Sequence, residues 1–181
     1  MLMPYAVTLH LDPAAAARVQ RMWHALADLT GEDDALRLGY PPHLTLAVLP
    51  DTVPAPSIKA AVLRVAAVWD ALPVTLAGLA VFPGTPPVLW AAPVPSNSLL
   101  ARHGMLHAAL APLPVHPHYR PGGWVPHVTL AAEGRSSAAK MLDAALSAWE
   151  APIEGCLGRI EFVRFRPVVV LHGEDLPPAP L

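Results

Sequence analysis

Pro42-His43-Leu44-Thr45-Leu46 and Pro126-His127-Val128-Thr129-Leu130 are one five-residue pattern written twice, 84 residues apart. In an extended strand, side chains two positions apart share a face. His43 therefore lies beside Thr45 and His127 beside Thr129, while Leu44, Leu46, Val128 and Leu130 turn the other way, toward a core. One strand histidine near a threonine is ordinarily an incidental polar face. Two copies, each with proline before and leucine after, point to a shared reaction site, since two lobes facing each other would bring both imidazoles and both hydroxyls into one cleft.

The same offset superposes the surrounding elements. Tyr5 to Leu11 alternates as a strand, Asp12 is placed to cap a helix with Pro13 at its first position, and Val19, Met22, Trp23, Leu26 and Leu29 recur at helical spacing before Gly31. Strands are expected at Leu44 to Leu49, Val74 to Phe82, Val88 to Val94, His127 to Ala132, Leu157 to Arg166 and Val168 to His172. Helices are expected at Ser57 to Trp69, Ser98 to Leu110 and Ser137 to Trp149. Shifted by 84, the helix at 13–30 falls on 97–114, the strand at 44–49 on 128–133 and that at 74–82 on 158–166. The expected fold is therefore α+β, bilobal and duplicated: two βαβαβ units and a closing strand, related by an approximate two-fold around a central cleft. The chain reads as one domain, 1–175, with lobes contributed roughly by 1–86 and 87–175, and a frayed proline-rich tail at 176–181.

Composition narrows the partners. Of the 181 residues, 54% are hydrophobic and 14% charged, the net charge is -2, and mean hydropathy is +0.40, which excludes a disordered chain. The basic residues number only 12, so a long nucleic-acid duplex is not an expected partner. The uncharged run from Ala71 to Ala101 is interrupted by Pro73, Pro83, Pro86, Pro87, Pro93 and Pro95 and reads as strands, not as a membrane span. No basic segment leads into an apolar one at the N-terminus. Cys156 has no cysteine to pair with and is expected to be a small core residue, so a cytoplasmic location is the simplest expectation.

Two histidines suit displacement at phosphorus. With unperturbed pKa values near 6.5, one can be neutral and take a proton from the attacking water, while the other is protonated and gives one to the leaving oxygen. Threonine hydroxyls can donate to the non-bridging phosphate oxygens. His43-Leu44-Thr45 and His127-Val128-Thr129 resemble the paired signatures of the two-histidine (2H) phosphoesterase superfamily, which includes 2'-5' RNA ligase-like proteins and 2',3'-cyclic nucleotide phosphodiesterases. Tyr119-Arg120-Pro121-Gly122-Gly123-Trp124-Val125-Pro126-His127 is similar to a run found in bacterial members. The resemblance implies a bilobal α+β fold with His43, Thr45, His127 and Thr129 catalytic in a central cleft. It also implies metal- and cofactor-independent hydrolysis of 2',3'-cyclic phosphates or 2'-5' linkages on nucleotides or RNA ends, and in some members RNA ligation. Family members often carry an arginine just after the second motif; Ala131, Ala132 and Glu133 stand there instead.

Tyr119 and Trp124 are candidates to stack on a nucleobase, and Arg120 to bind phosphate in bidentate fashion. His10 shares a strand face with Thr8 and reads either as a cleft residue or as a structural histidine. Two other functions compete. A binding module would hold cyclic-phosphate or 2'-phosphate ends without turnover. A metal hydrolase would use His103 and His107, four apart on a helix, although H-G-M-L-H lacks the glutamate of the zinc hydrolase pattern.

Overall fold

The computed structural model describes residues 4–150 and 152–179 and contains seven strands and five α-helices among them. In chain order the elements are β1 (Tyr5–Leu11), α1 (Pro13–Thr30), α2 (Asp34–Leu38), β2 (His43–Leu49), α3 (Ala55–Ala66), β3 (Leu72–Phe82), β4 (Val88–Pro93), α4 (Asn97–Leu110), β5 (Val128–Ala131), α5 (Ala138–Ser147), β6 (Ile153–Arg164) and β7 (Val169–Asp175). Apart from the short α2, which falls in a stretch expected to be a polar loop, this is βαβαβ twice and a closing strand.

Every strand pairing is antiparallel, in the order β1-β2-β5-β4-β3-β6-β7, and β1 also pairs with β6. The first six strands thus close a ring of pairings. Exchanging β1, β2, β3 for β4, β5, β6 leaves that set of pairings unchanged. The same exchange carries the packing of α1 on α5 onto that of α4 on α3. The pairings do not divide at residues 86 and 87, however. The third strand of each half crosses over: β3 pairs with β4, and β6 with β1. Each half of the chain therefore serves both ends of the sheet, in place of the expected sequential lobes.

The local chemistry behaves as the sequence dictates at α1. Asp12 Oδ1 accepts from the backbone N–H groups of Ala14 (2.9 Å) and Ala15 (3.1 Å), and Gly31 closes the helix at φ +79°. Asp12 Oδ2 also accepts from Cys156 N, which ties the cap to β6. At Gly155 on that strand, a Cβ would lie 2.6 Å from Asp12 Oδ2, so the approach needs glycine. Behind the sheet, Leu9, Leu44, Leu46, Val128, Leu130 and Ile160 join Val19, Met22, Leu26, Ile58, Leu106 and Met141 from the helices in one core. Cys156 is only partly buried, not a core residue. Leu176 corrects the frayed tail: it is buried, its N–H donates to Gly158 O (2.8 Å), and Pro177 O accepts from Ala71 N (2.7 Å). Pro180 and Leu181 lie outside the described residues. No helix among the described residues is long and apolar enough to cross a membrane.

Candidate active site

β2 and β5 run side by side with Leu44 opposite Val128. Continuing that antiparallel register by one residue each way sets His43 opposite Thr129 and Thr45 opposite His127. Each motif histidine thus faces the other motif's threonine, and the leucine face of both strands anchors the arrangement from behind. A cavity of about 330 Å³ opens on this face. His43, Thr45 and Thr129 line it, together with Tyr40, Thr8, Tyr119, Arg37 and Arg166. His127 does not line that cavity; its ring stands edge-on to Phe82 at 5.1 Å and near Trp90 at 6.0 Å.

The two imidazoles are held in the same way. His43 Nδ1 lies 2.7 Å from Pro41 O and His127 Nδ1 lies 2.8 Å from Val125 O, in each case the carbonyl two residues back. A carbonyl only accepts, so Nδ1 must carry the proton and Nε2 is left as the acceptor of a neutral ring. Burial lowers both histidines, His127 below its ordinary value and His43 to about 4, with the charges of His10 and His127 adding to the effect at His43 and Glu161 and the Pro41 bond opposing it.

The threonines are positioned through their backbones. Thr45 O accepts from Trp124 Nε1 (2.9 Å) and Thr129 O from Trp23 Nε1 (3.2 Å), so an indole holds the middle of each motif. This corrects the expectation for Trp124. Its ring is 9% exposed and stacked on His103 with centroids 4.0 Å apart and planes 5° from parallel, so one aromatic face is covered and the side chain serves as a wedge. Trp124→Ala is expected to cost about 3–5 kcal/mol of stability, read by urea denaturation. Trp124→Phe, which keeps a ring but strands the Thr45 carbonyl, should cost about 1–3 kcal/mol.

Arg120 is also placed elsewhere. It is exposed, its Nε donates to Val115 O (2.9 Å), and it does not line the cavity. The arginines that do line the cavity are Arg37, paired with Asp33, and Arg166, paired with Glu133. Neither carries a local signal in sequence, because one belongs to the unexpected α2 and the other to the turn between β6 and β7. Tyr119 does line the cavity, and burial raises its phenol above the ordinary value.

His103 Nε2 donates to Tyr119 O (2.9 Å) and His107 Nε2 to Leu46 O (3.1 Å), so both pin the motif loop and strand to α4. Among the described residues, no group of three or more His, Cys, Asp or Glu is gathered to hold a metal.

A closed antiparallel sheet presenting two histidine–threonine pairs on one face defines a two-histidine phosphoesterase fold. The chain belongs to the 2'-5' RNA ligase superfamily, whose family model matches residues 11–167. Among solved structures it is similar to E. coli LigT complexed with 3'-AMP, at 18% identity over 97% of this chain and 99% of that one, with a TM-score of 0.65. TT0787 of Thermus thermophilus matches at 20% identity over 98% and 99% of the two chains, with a TM-score of 0.65. Usb1 of Kluyveromyces marxianus matches at 13% identity over 93% and 97%, with a TM-score of 0.55. Among curated protein sequences, none matches this chain.

Proposed function

We propose that this protein is a metal-independent phosphodiesterase that opens 2',3'-cyclic phosphates on nucleotides or RNA ends, using His43 and His127 for proton transfer and Thr45 and Thr129 to hold the phosphate. The observation that carries this reading is the matched pair of imidazoles, each with Nδ1 committed to a backbone carbonyl and Nε2 left for chemistry. The neutral ring takes a proton from water as its oxygen bonds to phosphorus. The protonated ring gives its proton to the ribose oxygen as the P–O bond breaks. The motif hydroxyls donate to the non-bridging oxygens, where negative charge builds in the transition state. Tyr119 supplies an aromatic wall to the cavity on this reading, and Arg37 or Arg166 an anion contact once its exposed carboxylate partner yields. A cavity of about 330 Å³ suits a nucleotide or a chain end.

The deciding assay is turnover of 2',3'-cyclic nucleotides with excess chelator. Undiminished product formation is expected. Loss of activity on chelation would return the site to a metal mechanism, and calorimetric binding of a terminal phosphate without any turnover would make the protein a binding module.

A further inference from the structure

The floor beneath His43 holds a buried polar cluster that the two-histidine reading does not use. The β1–β2 register puts Thr8 beside Thr45 and His10 beside His43, and the β1–β6 register puts Glu161 beside Thr8. The Tyr40 hydroxyl sits at the centre, 2.8 Å from Thr8 Oγ1, 2.7 Å from His10 Nε2 and 2.8 Å from Glu161 Oε2. Its single proton goes to the carboxylate. Thr8 Oγ1–H and His10 Nε2–H therefore donate to the phenol oxygen, and every proton in the cluster has a place. Arg159 Nε completes the carboxylate at 2.7 Å and is itself paired with Asp175. The Tyr40 ring, fixed at its far end by these bonds, stands at 65° against the His43 imidazole with centroids 4.8 Å apart.

The His127 side is built differently. Trp124 lies three residues before His127, as Tyr40 lies three before His43, but it turns inward onto His103; the rings against His127 are Phe82 and Trp90, neither of which carries a hydroxyl.

We propose that Tyr40, with its hydroxyl tied to Glu161, is a positioning residue that fixes the imidazole of His43 and has no counterpart beside His127, so that the duplication does not extend to the proton-transfer roles. The proposal rests on the two-histidine reading above. The ionisable groups around His43 are His10 from β1, Tyr40 ahead of β2, His127 ahead of β5 and Glu161 from β6, with Arg159 behind Glu161, and Asp34, Arg37, Tyr119, Glu133 and Arg166 line the same cavity. Of these, Glu161 favours its charged form, whereas burial, His10 and His127 oppose it. Tyr40→Phe keeps a ring against His43 but cuts its tie to Glu161, Thr8 and His10, so the imidazole loses its fixed neighbour. Glu161→Gln keeps an acceptor for the Tyr40 hydroxyl but deletes the negative charge, and so moves His43 further below its ordinary value.

The test is an NMR titration of the histidine rings in the full chain, with the His43 and His127 signals assigned from their Gln variants. The His43 midpoint should fall in Glu161→Gln, with that of His127 unmoved. In turnover, Tyr40→Phe should lower kcat by about 10- to 100-fold with KM within about twofold. Midpoints of both histidines moving together, or a His43 midpoint unmoved in Glu161→Gln, would overturn the proposal; Glu161→Gln decides alone if Tyr40→Phe does not fold. Because the titration needs no substrate, its outcome is separate from that of the two-histidine reading, which stands or falls on the histidine variants themselves.

Discussion

His43→Ala and His127→Ala are each expected to lower kcat on a 2',3'-cyclic nucleotide by about 10²- to 10⁴-fold, the range over which a positioned acid or base contributes. The two rings serve opposite ends of one displacement, so the double variant should be little worse than either single one. Substrate affinity should survive, because the threonine hydroxyls and the cavity arginines remain. His43 opens β2 and His127 stands just ahead of β5, strands whose inward faces stay packed, so at neutral pH the melting transition should move little and loss of rate can be assigned to chemistry. Full activity in either single variant would sink the paired mechanism.

The second large effect concerns acid. His43 and His103 are both held neutral down to about 4, His103 by burial and by the neighbouring His107 charge, and burial also lowers His10, His107 and His127. In the unfolded chain all five take up protons near 6.5. The folded state therefore binds fewer protons between those values, and the stability its neutral histidines contribute is fully present above about pH 6.5. It is lost as the pH falls toward 4. At 1.36 kcal/mol per pKa unit, protonating His43 and His103 should each remove roughly 3 kcal/mol on acidification, a large share of the 5–15 kcal/mol that holds a typical domain together. Urea midpoints measured from pH 7.5 to 4.5 should fall steeply in the lower half of that range. A flat profile there would show that these rings are hydrated in the native state.

Much of the fold was legible because strand and helix periodicity are local properties. The offset of 84 residues places α1 on α4, β2 on β5 and α3 on α5 with small errors at the ends. The crossing of β3 and β6 was not legible, since alternation along a strand tells which face is buried but not which strand lies beside it. The same limit applies to the site. His43, Thr45, His127 and Thr129 announce themselves by spacing, whereas Thr8, Tyr40 and Glu161 meet only through the registers of β1 with β2 and β6. Arg120 and Trp124 were candidates by adjacency to the second motif. Adjacency in a loop does not fix direction, and the carbonyls of Val115 and Thr45 claimed their donors.

The exchange of third strands also bears on how the chain is made. β1 is complete once residue 11 has been synthesised, yet its full partner β6 begins at residue 153. Until then the ring cannot close, and a nascent chain carries an open edge and a half-built cleft through most of translation. Pairing at such separation is slow to form and leaves edges available to other chains. Ribosome-bound chains halted before β6 should thus be protease-sensitive along β1 and prone to associate, while extension past residue 164 should confer protection in a single step.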